Sequence, residues 1–342
     1  MRLQPLGHPS ARNRDARFRT SPPAGTPRSG RNLARGASGS NHFCPFRPPL
    51  SGAPPRPAPP AGARPRELPA TQIETLIRDP YAIYARRILR LRPLDPLDAD
   101  PDARHRGTVI HDVLDEFVRA YPDNLPGDAE EKLVSMGRKS FDQLMAWPIV
   151  RALWWPRFER IAHWFVGWER RRRESGVRTL GTEVDGFLDI SLAAGSFRLK
   201  ARADRIDRLP GGTLAIMDYK SGGIPTGPQM ERGLAPQLPL GALIAEQGGF
   251  KDLKKAEVTD LLYIHVSGGR EAGREKQPKL KEGVRNVIDK THDGVTRMLG
   301  RYDLEETPYL SRTRVQYERF EGDYDHLARV KEWGLGGGGE EE

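Results

Sequence analysis

Hydrophobic positions divide the chain into a helical first part and a strand-rich second part. From residue 68 to about 174, apolar residues recur at steps of three and four, which is the spacing of helices that bury one face. We predict four helices there, beginning near Leu68 and then covering about 103–120, 128–145 and 150–174. Thr71 and Glu74 fit the T-x-x-E pattern of a capping box at the start of the first helix.

The fourth predicted helix carries a stripe of aromatic and apolar residues along one face. Such a stripe is typical of core packing, which we favour over a base-stacking platform for nucleic acid. Its members are Trp154, Phe158, Ile161, Phe165 and Trp168. The run Arg170 to Arg173 follows, and we interpret it as a solvated helix end in preference to a DNA contact.

The pattern changes to strands after residue 180. Thr182 to Leu192 alternates between apolar and polar residues, and Phe197 to Ile206 and Thr213 to Tyr219 flank a turn. Val258 to Val266 is predicted as another strand. Further helices are expected over 236–247, 283–300 and 322–333. The sequence therefore predicts an α/β body in which helices surround a mostly antiparallel hairpin sheet.

Composition separates residues 1–66 from the rest of the 342-residue chain. This segment is rich in Pro, Gly, Ser, Ala and Arg and has too little apolar surface to offset chain entropy, so we predict disorder. It fits either a linker or displaced start, or a basic arm for nucleic acid. One domain is expected over 67–335, followed by a flexible tail over 336–342.

The formal net charge of +9 arises from this first segment. Residues 1–70 carry a net charge of +10 and the remaining 272 residues carry −1, so a basic groove in the domain requires local arrangement. The only cysteine, Cys44, excludes an internal disulfide and a four-cysteine metal or iron–sulfur site. No apolar run has membrane-spanning length and no secretory signal is present, so we expect a cytoplasmic protein.

Two aspartates flank a strong turn signal in the strand-rich part. Leu209-Pro210-Gly211-Gly212 predicts a hairpin turn, and Asp204 and Asp218 lie at equal distances from Gly211. A hairpin centred there places the two acids opposite each other, with Cβ atoms about 4.5–5.5 Å apart. Lys220 follows Asp218 by two positions and shares its strand face. Two acids and a lysine on one face suit a divalent metal and a phosphate.

The same residues also allow a structural interpretation, in which Asp218 and Lys220 only mark the emergence of a buried strand into solvent. His111 lies four positions after Gly107 on the second predicted helix, so both share a face. A lone histidine there also fits a structural role. Glu183 on the first strand and Gln237 at the next helix start are uninformative by themselves.

Taken together, the segments resemble a known family. The pattern is Gly-x-x-x-His on a helix, an acid on a first strand, Asp on a second, Asp-x-Lys on a third, and Gln opening a helix. This resembles the RecB-like branch of the PD-(D/E)XK nucleases. The stretches Ala203 to Asp207 and Asp218 to Gly222 look like that family's metal-site strands.

Further segments are similar to the carboxyl-terminal nuclease module of AddB, a subunit family of AddAB helicase–nucleases. They are Thr71 to Arg90, Pro236 to Leu240 and Gly322 to Leu327, and the resemblance covers roughly residues 68–333. It implies an α/β fold with a restriction-endonuclease-like core: a mixed central sheet, with a β-hairpin bearing the metal site, flanked by helices.

The resemblance also implies roles for individual residues. His111, Asp204, Asp218 and the Tyr219 carbonyl are expected to bind Mg²⁺ or Mn²⁺, which favour oxygen ligands. Glu183 is a candidate outer ligand. Lys220 is expected to steady the attacking water and the charge on the phosphate, and Gln237 to position Lys220 or the DNA backbone. The catalytic set is therefore Asp204, Asp218, Lys220 and Gln237.

Two positions depart from the family pattern. The family often has Gln-x-x-x-Tyr, but Gly241 stands at the fourth position after Gln237, which removes a ring that could contact DNA. Many AddB-like nucleases hold an iron–sulfur cluster whose first cysteine precedes a proline, whereas this chain has Asp79-Pro80. No cluster is expected, and packing of the first helix against the aromatic and ionic residues of 309–333 is expected to replace it.

The leading functional hypothesis is a metal-dependent deoxyribonuclease module. As implied by the resemblance, it would act as an exonuclease on single strands during helicase-coupled end resection in double-strand break repair and recombination, with DNA and an AddA-like helicase–nuclease chain as partners and no membrane. The alternative is a catalytically idle DNA-binding or scaffold domain. A third possibility is a stand-alone RecB-like exonuclease of defence or mobile-element origin.

Overall fold

The computed structural model of the chain describes residues 53–93, 100–312 and 322–334. Cys44, the tail 336–342 and most of the segment 1–66 therefore lie outside the described residues. Within 53–66 the prediction of disorder is wrong. Arg64 is buried and donates hydrogen bonds of 2.9 and 2.7 Å to the backbone carbonyls of Tyr302 and Glu305.

The same segment shows why composition misled the prediction. Proline lacks an N–H donor but keeps its carbonyl, and the Pro57 carbonyl accepts a 2.8 Å hydrogen bond from the Tyr309 N–H. A proline-rich stretch can thus contribute carbonyl acceptors to its attachment to a folded body, beside the donors of Ala61 and Arg64. The folded part of the chain begins ahead of the predicted boundary at residue 67.

The helices agree closely with the periodicity of the sequence. They are α1 (Ala70–Arg78), α2 (Pro80–Ile83), α3 (Ala103–Ala120), α4 (Ala129–Phe141), α5 (Trp155–Glu174), α6 (Gly227–Glu231), α7 (Gln237–Gln247), α8 (Gly283–Arg301) and α9 (Val330–Gly334). The helix predicted over 322–333 is mostly wrong, because turns precede the short α9. No helix in the described ranges is both long enough and apolar enough to cross a membrane.

The predicted capping box is also wrong. Helix α1 begins at Ala70, directly after Pro69, and no side chain caps it. Thr71 is therefore already inside the helix, and Glu74 forms an ion pair of 2.7 Å with Arg78 one turn later. The cause is a short strand that ends at Pro69 and leads directly into the helix, so the helix begins one residue before Thr71.

The strands form one mixed sheet. They are β1 (Glu67–Pro69), β2 (Arg178–Leu192), β3 (Gly195–Arg208), β4 (Leu214–Lys220), β5 (Val258–His265) and β6 (Arg274–Lys276). The order is β1-β3-β4-β5-β6, and β2 pairs with β3. β3 is antiparallel to β2 and β4, whereas β4–β5 and β1–β3 are parallel. The short strands β1 and β6 were not predicted.

Strand β4 is covered on both faces, as its apolar run predicts. Leu214 and Ile216 belong to a core with residues of α1, α7 and α8. Ala215, Met217 and Tyr219 belong to a second core with residues of α3, α4 and α5. The aromatic stripe of the fourth predicted helix lies in this second core, and its members are buried. The core interpretation of that stripe is confirmed.

Contacts with residues near 310 and 325 cover the first two helices. The Asp79 carboxylate accepts a 3.1 Å hydrogen bond from the Arg312 N–H, and the Arg312 side chain pairs with Asp325. The Tyr81 N–H donates to the Leu310 carbonyl at 3.0 Å, and its ring packs with Tyr324. The predicted packing of the first helix against 309–333 is present among the described residues.

A buried ionic cluster joins α5 to β3. The Arg205 guanidinium, which is 1% exposed, donates to Glu169 at 2.6 Å and to Asp207 at 2.7 Å. Arg172 and Arg173 of α5 donate to Asp207 and Glu169 at 3.0 and 2.7 Å. For these two arginines the expected solvated helix end is wrong, because the carboxylates opposite them are buried and need cationic partners.

Removing one member of the cluster is predicted to destabilise the fold. Glu169→Ala leaves the buried Arg205 charge with fewer partners, so we expect a loss of about 3–5 kcal/mol in the free energy of unfolding. Urea denaturation measures it. Glu174→Ala, an exposed site on the same helix, should change stability by less than about 0.5 kcal/mol, and equal losses in both variants would contradict the role given to the cluster.

Candidate active site

The hairpin of β3 and β4 places two acids where their ladder ends. Its register runs from Arg208↔Leu214 to Arg205↔Met217, and Asp204 and Asp218 are the next residues on the two strands. The predicted hairpin and its centre are confirmed. The Tyr219 N–H donates to Asp204 Oδ2 at 2.8 Å, so a side chain satisfies the backbone where the ladder stops.

The position of Asp204 follows from a change of partner along β3. Along the side that does not face β2, β3 pairs with β1 at residues 198–200 and with β4 at residues 205–208. Asp204 lies in the interval between these partners. Its carboxylate can therefore turn toward the end of β4 and is held there by the Tyr219 N–H.

Glu183 stands opposite Asp204 on the other neighbour of β3. The residues on either side of it, Thr182 and Val184, pair with Arg205 and Ala203. Glu183 has a φ of 49°, a left-handed conformation that costs a non-glycine residue about 1–2 kcal/mol. Its carboxylate lies 2.7 Å from Arg202 Nε. Strained backbone of this kind tends to occur at functional sites.

His111 reaches the same place from α3. Its Nδ1 lies 3.6 Å from Asp204 Oδ2, and its ring meets the Tyr219 ring edge-on at 5.7 Å between centroids. Gly107, one turn earlier, faces the loop after β4, since a methyl group there would lie 2.9 Å from Ser221 Oγ. His111, Glu183 and Asp204 each offer a ligand atom, and these atoms lie within 4.8 Å of one another.

Asp218 is adjacent to this group but is held by other partners. Gln237 Nε2 donates to Asp218 Oδ1 at 2.7 Å, and Lys220 Nζ lies 2.6 Å from Oδ2. The lysine also donates to Gln237 Oε1 at 3.4 Å. Lys220 is therefore the charged partner of the buried Asp218 carboxylate. The structure thus brings Asp218, Lys220 and Gln237 together beside the group of three.

Electrostatics at the two aspartates are unfavourable. Burial raises the pKa of Asp218 to about 6, and repulsion from Asp204 adds to this. Burial also raises the pKa of Asp204 to about 6, against the Tyr219 hydrogen bond that lowers it. Burial lowers the pKa of His111, so a neutral ring with a free electron pair is favoured. Crowded carboxylates and a neutral imidazole fit a divalent cation.

Two residues near the site carry little signal in the sequence. Glu183 is an uninformative acid alone, yet the register places it opposite Asp204. Glu74 was assigned to a helix cap, but burial raises the pKa of its carboxyl, and Lys220 and Asp218 also shift it. Only the packing of α1 against α7 and β3 brings Glu74 near these two residues. In the sequence, Glu74 is distinguished only by its position within Thr71 to Arg90, a segment similar to the nuclease family.

Comparison with known proteins identifies chains of similar sequence. A family model described as the PD-(D/E)XK nuclease superfamily matches residues 67–314. An uncharacterised protein of Rickettsia bellii is 31% identical over 186 residues, covering 54% of this chain and 22% of that protein. An uncharacterised protein of Rickettsia typhi is 30% identical over 209 residues, covering 59% and 24%.

A more distant relative has a descriptive name. It is one of the subunits of the ATP-dependent helicase/deoxyribonuclease of Streptococcus agalactiae serotype Ia, and it is 24% identical over 239 residues, covering 68% of this chain and 21% of that protein. The chain thus spans about a fifth to a quarter of the length of the curated relatives it matches.

The raised pKa values predict a stability effect with a definite sign. Asp204 and Asp218 bind protons more tightly in the folded than in the unfolded state, so they favour folding below about pH 4, and this contribution is lost as pH rises through about 6. Asp204→Asn keeps an acceptor for the Tyr219 N–H and removes the charge. Without added metal, we expect it to stabilise the protein at pH 7.5 by roughly 1–3 kcal/mol.

Thermal unfolding in EDTA at pH 7.5 and pH 4.5 measures this effect. The gain from Asp204→Asn should shrink toward zero at the lower pH, where the wild-type carboxyl is protonated. Asp189→Asn, an exposed acid paired with Arg198 at 2.8 Å, should show no such gain. A stabilisation of Asp204→Asn that is independent of pH would contradict the raised pKa.

Proposed function

The chain belongs to the PD-(D/E)XK nuclease superfamily, and on that premise we propose that it is a metal-dependent deoxyribonuclease that hydrolyses phosphodiester bonds. The observation that carries the proposal is the meeting of His111, Asp204, Asp218 and Lys220 at one end of the sheet. These residues come from a helix and two strands, and no packing requirement calls for such a set of charged groups beside a core.

The donor set of the site fits Mg²⁺ or Mn²⁺. His111, Asp204 and Asp218, with the Tyr219 carbonyl, would hold the ion, and Glu183 would act as an outer ligand. Asp218 Oδ2 is buried and faces Lys220 Nζ at 2.6 Å, so this oxygen already lies in a position that favours a positive charge. When bound, such an ion polarises the phosphate and lowers the pKa of a water molecule.

Lys220 and Gln237 supply positioning and charge. Lys220 Nζ is held between Asp218 and Gln237 Oε1, so its charge lies beside the acids, where a phosphate bound to the metal would sit. It would orient the attacking water and balance negative charge that grows on the phosphate. Gln237, through its hydrogen bond to Asp218, fixes the carboxylate in the direction of the site.

We extend the proposal to the setting in which the nuclease acts. Similarity to part of an ATP-dependent helicase/deoxyribonuclease supports a module that degrades single strands, as an exonuclease, during end resection in double-strand break repair and recombination. An AddA-like helicase–nuclease chain would then be its partner, and the cytoplasm its location. Contacts to DNA would be mainly to phosphates, so binding should weaken as salt increases.

Cleavage of labelled single-stranded DNA tests the proposal. We expect the wild-type protein to degrade it in Mg²⁺ or Mn²⁺ and not in EDTA. Asp218→Ala and Lys220→Ala should lose at least about 100-fold in rate, since each removes a charge at the reacting phosphate. Asp189→Asn removes an exposed carboxylate from the far end of β2 and serves as the matched control.

Two results would count against this assignment. Equal rates for Asp218→Ala and the wild-type protein would show that Asp218 does not act in hydrolysis. DNA binding without cleavage in either metal would favour the alternative of an idle DNA-binding or scaffold domain in a helicase–nuclease complex.

Metal binding has a readout that does not depend on cleavage. An ion bound only by the folded state stabilises it, so near-saturating Mn²⁺ should raise the Tm by about 5–10 °C. Asp204→Asn should lose most of this shift, whereas Asp189→Asn should keep it. A shift of equal size in Asp204→Asn and the wild-type protein would place the metal elsewhere.

A further inference from the structure

The row of strand ends that holds the candidate active site continues from β4 across β5 to β6. The parallel strands β4 and β5 end at Lys220 and His265, and the antiparallel β6 begins at Arg274. The register pairs Lys220 with His265, and His265 with Arg274. Because neighbouring strands lie about 4.8 Å apart, the three residues form a row about 10 Å long. Carboxyl ends of parallel strands are the usual place for ligands in α/β sheets.

The loop that follows Lys220 exposes backbone on this edge. Gly222 and Gly223 are exposed, and a methyl group added at either would meet no atom within 4 Å. Within the described part of the chain, their N–H groups donate to no backbone or side-chain acceptor. A backbone N–H group without a protein acceptor can donate to a phosphate oxygen.

His265 connects this loop to β6. Burial and the charge of Arg274 lower the pKa of its imidazole, against an interaction with the Gly222 backbone that raises it. The half-buried ring is therefore placed between the glycine loop and the strand that begins at Arg274.

Arg274 is available for a ligand. Its side chain is 48% exposed, and its ion pair is with the exposed Glu271 at 3.4 Å. Exposed pairs of this kind contribute about 0–1 kcal/mol, so an incoming phosphate can replace the partner. Lys276, two residues after Arg274, adds a second positive charge. The register pairs Lys276 with Tyr263 of β5, which in turn pairs with Asp218 of β4.

We propose that the Gly222–Gly223 loop and Arg274 form a second phosphate-binding subsite, which holds the DNA backbone next to the phosphate at Lys220. This rests on the proposed nuclease function. A row of about 10 Å is longer than a single phosphate, so a DNA backbone bound at Lys220 can extend along it to a neighbouring phosphate. The strand thus crosses the carboxyl ends of β4 and β5 toward β6, and His265 is a positioning residue for the loop.

Affinity for a single-stranded oligonucleotide, measured in EDTA between 50 and 200 mM salt, tests the subsite. Arg274→Ala should weaken binding about 3–10-fold and reduce the slope of log affinity against log salt by about one. Gly223→Ala should weaken binding about threefold, because the methyl group keeps the phosphate from the loop, but should leave the slope unchanged since no charge is lost.

Matched controls lie at the opposite ends of the strands, before β4 and β5. Lys254→Ala removes one exposed charge from the loop before β5, and Gly211→Ala adds a methyl group in the β3–β4 turn, where it also meets no atom within 4 Å. Both should bind like the wild-type protein. In cleavage assays with Mg²⁺, Arg274→Ala should raise KM and leave kcat nearly unchanged, as expected for a residue that binds without taking part in chemistry.

The outcomes separate the two proposals. If Arg274→Ala and Gly223→Ala match their controls while the wild-type protein binds and cleaves DNA, the subsite is overturned and the nuclease function stands. If both variants weaken binding but the wild-type protein does not cleave in Mg²⁺ or Mn²⁺, the subsite stands and hydrolysis is overturned. A wild-type protein that neither binds nor cleaves DNA overturns both.

Discussion

The buried pairing of Arg205 with Glu169 and Asp207 is the constraint on which the geometry of the site depends. Arg205 directly follows Asp204 on β3, and its guanidinium is fixed against α5 on one face of the sheet. With that side chain fixed, the backbone at Asp204 has little freedom, and its carboxylate meets the end of β4. A buried charge is costly unless every partner is in place, so the same pairing that fixes the strand also penalises any other packing of α5.

The site itself opposes folding. Asp204 and Asp218 are held close together where water is largely excluded, which raises the pKa of both, and Glu183 adopts a left-handed backbone conformation opposite them. Lys220 relieves part of the repulsion by pairing with Asp218. The two cores on the faces of β4 provide the apolar burial that keeps this arrangement folded. The apolar cores and the candidate site are thus separated in space: the cores on the faces of β4 stabilise the fold, and the ends of β3 and β4 carry the charged groups of the candidate site.

Sequence reasoning succeeded where one local rule decides the outcome. The period of apolar residues located α3, α5 and α7, and a single turn at Gly211 set the register that brings Asp204 and Asp218 together. It failed where distant contacts decide. Nothing local shows that Glu183 faces Asp204, that Arg172 and Arg173 turn inward to buried acids, or that Leu68 and Pro69 form a strand and displace the start of α1. Arg64 illustrates the same limit, because its burial depends on carbonyls more than 230 residues away.

The hydrogen bond between Asp79 and the backbone of Arg312 joins residues 233 positions apart. Contacts of such long sequence separation form only after the intervening chain has closed a large loop, and they slow folding. During synthesis, the apolar side of α2 and of the turn that follows it, which Tyr324 and Ala328 cover, stays exposed until nearly the whole domain has been made. During that interval the exposed apolar side chains can associate with other chains, so the last step of folding carries a risk of aggregation.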